Sequence, residues 1–280
     1  MRALSGRYAT AAWLGWQIES NWADPFLFAI YAVARPLATA FMLAGMYWAV
    51  SGAHIRHEIF GAIYVANAFH NYVTQVLVGM GWIVVEEREQ YETLKYVYAS
   101  PIGIFTYLAG RSVVKFALAS VSVVLTLAAG WWLLGVHWSW GHVQWVPLLA
   151  AFALGLLATV FLGFLLAGWG LLLPRIAMTV NEGVAVSLYL LCGVIFPIDV
   201  LPRVLQVLAL ALPFTYWYEA IRRFVLGHGA STRLSSWSDG GLLLALAVTT
   251  ALFVAVSRWG YFALERRARQ EGRLDQTTLF

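Results

Sequence analysis

Few side chains in this sequence could do chemistry, and most that could stand within or beside long apolar runs. Asn67, Asn71, Thr74 and Gln75 recur at i, i+4, i+7 and i+8, so a helix would carry them on one face. At mid-membrane depth such groups either line a polar path or hydrogen-bond a neighbouring helix, and both roles keep them from lipid. Glu182 is the only carboxylate in 177–196 and lies near one face with Thr179 and Tyr189, a placement that fits pairing, gating or the interface. Tyr91, Leu94 and Tyr98 follow at i, i+3 and i+7 in a charged stretch, the pattern of a short amphipathic helix. Serine, histidine and aspartate are scattered without a nucleophile elbow, so no catalytic residue and no enzyme are expected. His54 and His57 beside Glu58 have a spacing that metal binding tolerates, but no further ligand accompanies them and no metal site is expected. A phosphate-cradling GxxxxGK[ST] loop needs a lysine after a glycine, and neither Lys95 nor Lys115 follows one.

The elements that must position these residues follow from composition. Of 280 residues 61% are hydrophobic and 11% charged, whereas a soluble domain carries roughly 25% charged residues. A water-facing surface cannot be built from that. The chain reads as an all-α, polytopic membrane protein, one transmembrane domain over 1–280, with six spans at 26–50, 58–85, 102–136, 143–173, 177–196 and 240–264. Each run is long enough for a hydrocarbon core of roughly 30 Å. Segment 1–25 puts Tyr8, Ala9, Ala12, Trp13 and Trp16 on one helical face, which suits a helix at the membrane interface or a plain leader. Asp24 before Pro25 is a helix start. Trp131, Trp132, Trp138, Trp140 and Trp145 form an interfacial aromatic belt, and the polar tail is 265–280.

Two stretches between spans stand out. Segment 86–100 sets Glu86, Glu87, Glu89 and Glu92 against Arg88 and Lys95, a net −2 that an anionic leaflet would repel, so a protein partner fits it better than lipid. In 197–227, Pro197, Pro202 and Pro213 interrupt apolar pieces too short to span twice, which reads as broken, re-entrant outer helices. The net +4 charge is topological and not a nucleic-acid signal. Placing both termini inside puts Arg2, Arg7, Arg88, Lys95, Arg111, Lys115, Arg175, Arg258, Arg266, Arg267, Arg269 and Arg273 inside, and only Arg56, Arg203, Arg222, Arg223 and Arg233 outside. The positive-inside rule favours that orientation. Arg35, within the first span beside Pro36, is left to snorkel, pair or face water.

These residues resemble the membrane subunits, or permeases, of type 2 ATP-binding cassette (ABC) exporters. After the second span that family shows a pattern close to ERxxGTLExLxxSP, and Glu87, Arg88, Thr93, Leu94, Ser100 and Pro101 look like its matching positions. Glu92 stands where the family usually has glycine and Lys95 where it usually has glutamate. The later pattern, GxxFPxxxLPxxL then LPxTY then arginine and glycine, is similar to Gly193, Phe196, Pro197, Leu201, Pro202, Leu205, Leu212, Pro213, Thr215, Tyr216, Arg222 and Gly227.

The resemblance implies that 86–100 is a coupling helix, with Glu87, Arg88, Tyr91, Leu94 and Tyr98 docking on a separate ATPase subunit that binds ATP and Mg. Arg111 and the N-terminal helix would flank that joint. Asn67, Asn71, Thr74, Gln75, Glu182 and Tyr189 would be candidates for the translocation path. Phe196, Pro197, Pro202, Pro213, Tyr216 and Arg222 would shape the outer re-entrant segment. It further implies a pair of permeases, identical or related, with two ATPase subunits in a prokaryotic cell membrane among lipids, exporting a drug-like small molecule, a lipid or a glycan. No cofactor is expected in this chain itself. The rival readings are an ATP-independent secondary transporter or channel, dependent on Arg35, Lys115 and Glu182, and an intramembrane enzyme.

Overall fold

A computed structural model describes residues 2–21, 25–51 and 57–273, and every regular element among them is helical. Helix α1 (Arg2–Asn21) is followed by α2 (Pro25–Val50), which carries Pro36 in its interior. The second span is one continuous rod built from α3 (His57–Tyr72), a π-helical stretch Val73–Val78, α4 (Gly79–Val85) and a π-helical end Glu86–Gln90. A short α5 (Leu94–Ala99) leads to α6 (Ile104–Leu133), α7 (Trp145–Leu172) and α8 (Pro174–Leu191). Then come α9 (Arg203–Ala211), α10 (Pro213–Leu226), a single turn α11 (Thr232–Ser235) and the long α12 (Asp239–Gln270).

Local chemistry explains the element ends. Pro174 and Pro213 open α8 and α10, where a missing N–H removes no hydrogen bond. Ser238 caps α12 by accepting from the Gly241 amide at 3.1 Å, and Gly227 at φ +82° closes α10 in a conformation that costs a glycine nothing. Asp24, read as the cap of the first span, lies outside the described residues, as does His54.

By length and apolarity five helices can cross a membrane, and six if the bent pair α9–α10, which turns by 82°, counts as one. Helix α8 (Pro174–Leu191), the counterpart of the span expected over 177–196, is not among the five, because Arg175, Asn181 and Glu182 lower its apolarity. The first residues of the polar tail belong to a helix. Helix α12 runs on to Gln270, with Glu265 buried against the rest of the chain.

Helix α7 is the centre of the bundle, packing along α12, α4 and α10, while α1 lies on α6 and α2 touches α6 and α3. Two glycines allow close helix approaches. A Cβ at Gly110 would overlap Ala11 of α1, and one at Gly155 would overlap the indole of Trp217, which is fully buried. The first allows α1 to lie directly on α6; the second seats α10 against α7. In contrast, α2 and α12 leave most of their surfaces uncovered.

Candidate functional site

At the end of the bundle where span two stops, the chain forms a charged elbow. The break lies between the π-helical turn Glu86–Gln90 and α5, with Glu92 at φ +53°, the one non-glycine residue of positive φ among the described residues. The amphipathic helix expected over Glu86 to Tyr98 is therefore two pieces. Tyr91 points outward, Leu94 is buried in the core below, and Tyr98 is half-buried. The elbow closes on Glu87. Its carbonyl accepts the Thr93 amide at 2.8 Å, and its carboxylate accepts the Thr93 hydroxyl.

Glu92 carries a side chain where the backbone favours glycine, at a cost of about 1–2 kcal/mol. Glu92→Gly is expected to keep the elbow and raise the unfolding midpoint, and Glu92→Val to be less stable than Glu92→Gly by about 1–2 kcal/mol. Thermal unfolding of both variants in one detergent checks the order.

Around Glu87 lies a buried ion cluster that joins three elements. Arg111 of α6, with no exposed side-chain surface, donates to Glu87 at 2.6 Å and Glu86 at 3.1 Å, and reaches Glu19 of α1 at 3.5 Å. Lys115 pairs with the same Glu19, and the Tyr107 hydroxyl donates to Glu87. Arg88 turns the other way. It pairs with Glu89 at 2.9 Å and donates to the carbonyls of Leu171 and Gly170 at 3.0 and 3.3 Å, at the negative end of α7. Arg273 beyond α12 donates to the neighbouring Leu172 carbonyl at 2.8 Å.

Tyr98 meets α12. The Arg269 guanidinium lies 4.8 Å from its ring centre and pairs with Glu265 at 2.6 Å. Burial pushes the Tyr98 phenol well above the usual range, and the Glu265 charge adds to this while Arg269 opposes it. Of the five residues expected to dock a partner, only Tyr91 is freely exposed. Lys95 and Tyr96, which the pattern did not single out, are exposed beside it. An open cavity of about 470 Å³ lies under this edge, lined by Leu14 and Ile18 of α1 and by Tyr91, Tyr96, Val97 and Ile102.

The polar face of span two is half-buried, and two of its four members bridge helices. Asn67 accepts from the Tyr189 hydroxyl of α8 at 2.7 Å, and Gln75 donates to Ser122 of α6 at 2.6 Å. Asn71 and Thr74 bond to carbonyls of their own helix, those of Ala68 and His70. His70, on the same rod, meets the Tyr218 hydroxyl of α10 at 2.7 Å, and its ring centre lies 4.8 Å from that of the tilted Tyr189 ring. Thr74 and Gln75 fall in the π-helical stretch, where the extra residue per turn shifts the side-chain register. Glu182 stands apart from this group, exposed on the outer face of α8 with Thr179 and Ser187.

At the opposite end of the bundle the proline-punctuated segment is locked by side chain to backbone bonds. Arg222 is 3% exposed and donates to the carbonyls of Ala62, Gly193 and Val194 at 2.8, 2.5 and 2.8 Å, with Glu219 at 3.8 Å. Thr215 and Tyr216 donate to the Ala209 and Leu210 carbonyls across the bend between α9 and α10. Phe196 and Pro197 line a cavity of about 400 Å³ with Glu58, Arg222 and His228. Pro202 and Pro213 mark the starts of α9 and α10. Asp199 accepts the Thr232 amide at 2.7 Å; burial works to raise its carboxyl pKa, but the hydrogen bonds from Thr232, Ser231 and Arg233 together bring it below the usual range.

A helical chain with this many apolar rods and two internally bonded ends is a polytopic membrane protein. Residues 9–226 match the ABC-2 type transporter family, and the chain belongs to that family. It is therefore a transmembrane permease component, and membership implies ATPase subunits of the ABC type as partners. No curated protein matches the sequence.

Proposed function

We propose that this chain is the permease subunit of an ATP-driven exporter, paired with a second permease and two ATPase subunits, with ATP and Mg bound by the ATPases. The observation that carries this reading is the elbow. It presents Tyr91, Lys95 and Tyr96 outward while Glu87, Arg88 and Leu94 tie the same segment to α6, α7 and the core. A push on α5 therefore reaches span two, α6 and α1 through the buried ion cluster without a flexible link. The exposed polar stripe Thr179, Glu182 and Ser187 on α8 suits a water-filled path or a second permease, since lipid would not accept it. The cargo that suits such a path is amphipathic: a drug-like molecule, a lipid or a glycan. The excess of lysine and arginine near the elbow and the termini supports a cytoplasmic position for all three, in the cell membrane.

The test is gentle solubilisation of the tagged chain from native membranes, identification of co-purifying proteins and an ATPase assay. An ATPase subunit is expected to co-purify, and Tyr91→Glu with Tyr96→Glu is expected to weaken the association about thirtyfold, as loss of about 2 kcal/mol at a docking hot spot would. Both sites are exposed, so folding is spared. A chain that purifies alone, yet moves solute in liposomes without ATP, would transfer the reading to a secondary transporter or channel.

A further inference from the structure

Helix α12 carries an arginine, Arg258, that pairs with no carboxylate among the described residues and lies on the open surface of an apolar span. Arg258 is exposed within the apolar span 239–270, and its neighbours on the open surface are Val256 at 63%, Trp259 at 75% and Phe262 at 37% exposure. Three arginines further along are matched, while Arg266 is exposed beyond the apolar stretch. Arg267 pairs with Glu271, Arg269 with Glu265, and Arg273 with Glu271. Arg258 instead rests on aromatic rings, 5.2 Å from the centre of Phe262 and 6.0 Å from that of Phe105 on α6. Those rings stack on each other, and Phe105 stacks in turn on the buried Phe164 at 4.3 Å. The guanidinium is thus held at the seam of α6 and α12 by a floor anchored in the core.

Depth says what completes it. Glu265, already at the level of the elbow, lies two turns further along α12, which is roughly 10 Å at 1.5 Å per residue. Arg258 therefore sits just inside the polar boundary, beside a tryptophan of the kind that marks it. A bare cation there is costly, and the flat guanidinium fork matches phosphate oxygens. We propose that Arg258, with Phe105 and Phe262, forms a binding site for the headgroup phosphate of one anionic phospholipid at the α6–α12 seam. The site stands on the span and its arginine, whatever the chain transports.

Native mass spectrometry of the detergent-purified protein, titrated with phosphatidylglycerol or phosphatidylcholine, tests it. The wild-type chain is expected to retain phosphatidylglycerol in preference to phosphatidylcholine. Arg258→Gln is expected to lower phosphatidylglycerol retention about fivefold, the factor set by about 1 kcal/mol per basic residue near a lipid surface. Arg266→Gln, which removes an exposed charge with no ion pair among the described residues, is expected to change nothing. Phe262→Leu keeps the charge and is expected to give a smaller loss in a protein of unchanged fold. Equal retention by Arg258→Gln and wild type would overturn the site, and so would equal losses from Arg258→Gln and Arg266→Gln, which mean diffuse attraction. Displacement of the lipid by millimolar inorganic phosphate would overturn the lipid assignment in favour of a free anion.

Discussion

Replacing Arg111 with methionine is expected to destabilise this protein by about 3–5 kcal/mol, the usual cost of stripping one partner from a buried charge cluster. The size follows from what is left behind. Glu86 and Glu87, at 3.1 and 2.6 Å from the guanidinium, and Glu19 at 3.5 Å would lose their shared cation in a site where Arg111 has no exposed side-chain surface. Lys115 cannot replace it, because its ammonium is already held by Glu19 on the other side of the cluster. Arg111→Lys keeps the charge but not the fork, so it is expected to recover part of the loss. Adding Glu87→Gln to Arg111→Met is expected to recover part as well, with a coupling energy above about 1 kcal/mol. Thermal or denaturant unfolding of the four proteins in one detergent measures each step; additive effects would mean the cluster is not one unit. Since this cluster joins α1, span two and α6, the variants are also expected to uncouple the partner's ATP hydrolysis from transport.

Arg222→Met is the second large effect, again about 3–5 kcal/mol, with a different origin. Here the loss is of three carbonyl partners, Ala62, Gly193 and Val194, each a buried acceptor costing about 1–3 kcal/mol when left empty, partly offset by relaxation. Glu219 also loses its nearest cation, although two backbone amides, those of Ala230 and Ser231, still donate to its carboxylate. Because Arg222 ties α10 to span two and to the end of α8, the variant is expected to loosen the bent pair α9–α10 ahead of the rest. Hydrogen exchange of 197–227 is expected to rise first, and uniform exchange across the chain would show that the bond is not a local lock.

Much of this architecture was legible in the residue order. Apolar runs of membrane length, prolines at helix starts and glycine after Leu226 act locally, so composition and spacing suffice to find them. The residues of the two family patterns make side-chain hydrogen bonds: Glu87, Thr93 and Ser100 at the elbow, and Thr215, Tyr216 and Arg222 at the opposite end of the bundle. Their direction was not legible. The period of Tyr91, Leu94 and Tyr98 assumes an unbroken helix, and one residue at φ +53° sends them to different surroundings.

What the sequence determined by itself is the class: a helical membrane protein with a charged amphipathic stretch after its second span and a proline-broken segment before its last, because transfer free energy and helix termination depend on residues close along the chain. What only the tertiary structure decided is who meets whom. Arg111 finds Glu19 across 92 positions and Arg222 finds the Ala62 carbonyl across 160. Such pairings depend on how rods cross, and that is set by glycine contacts such as Gly110 on Ala11 and Gly155 on Trp217, which no local pattern specifies.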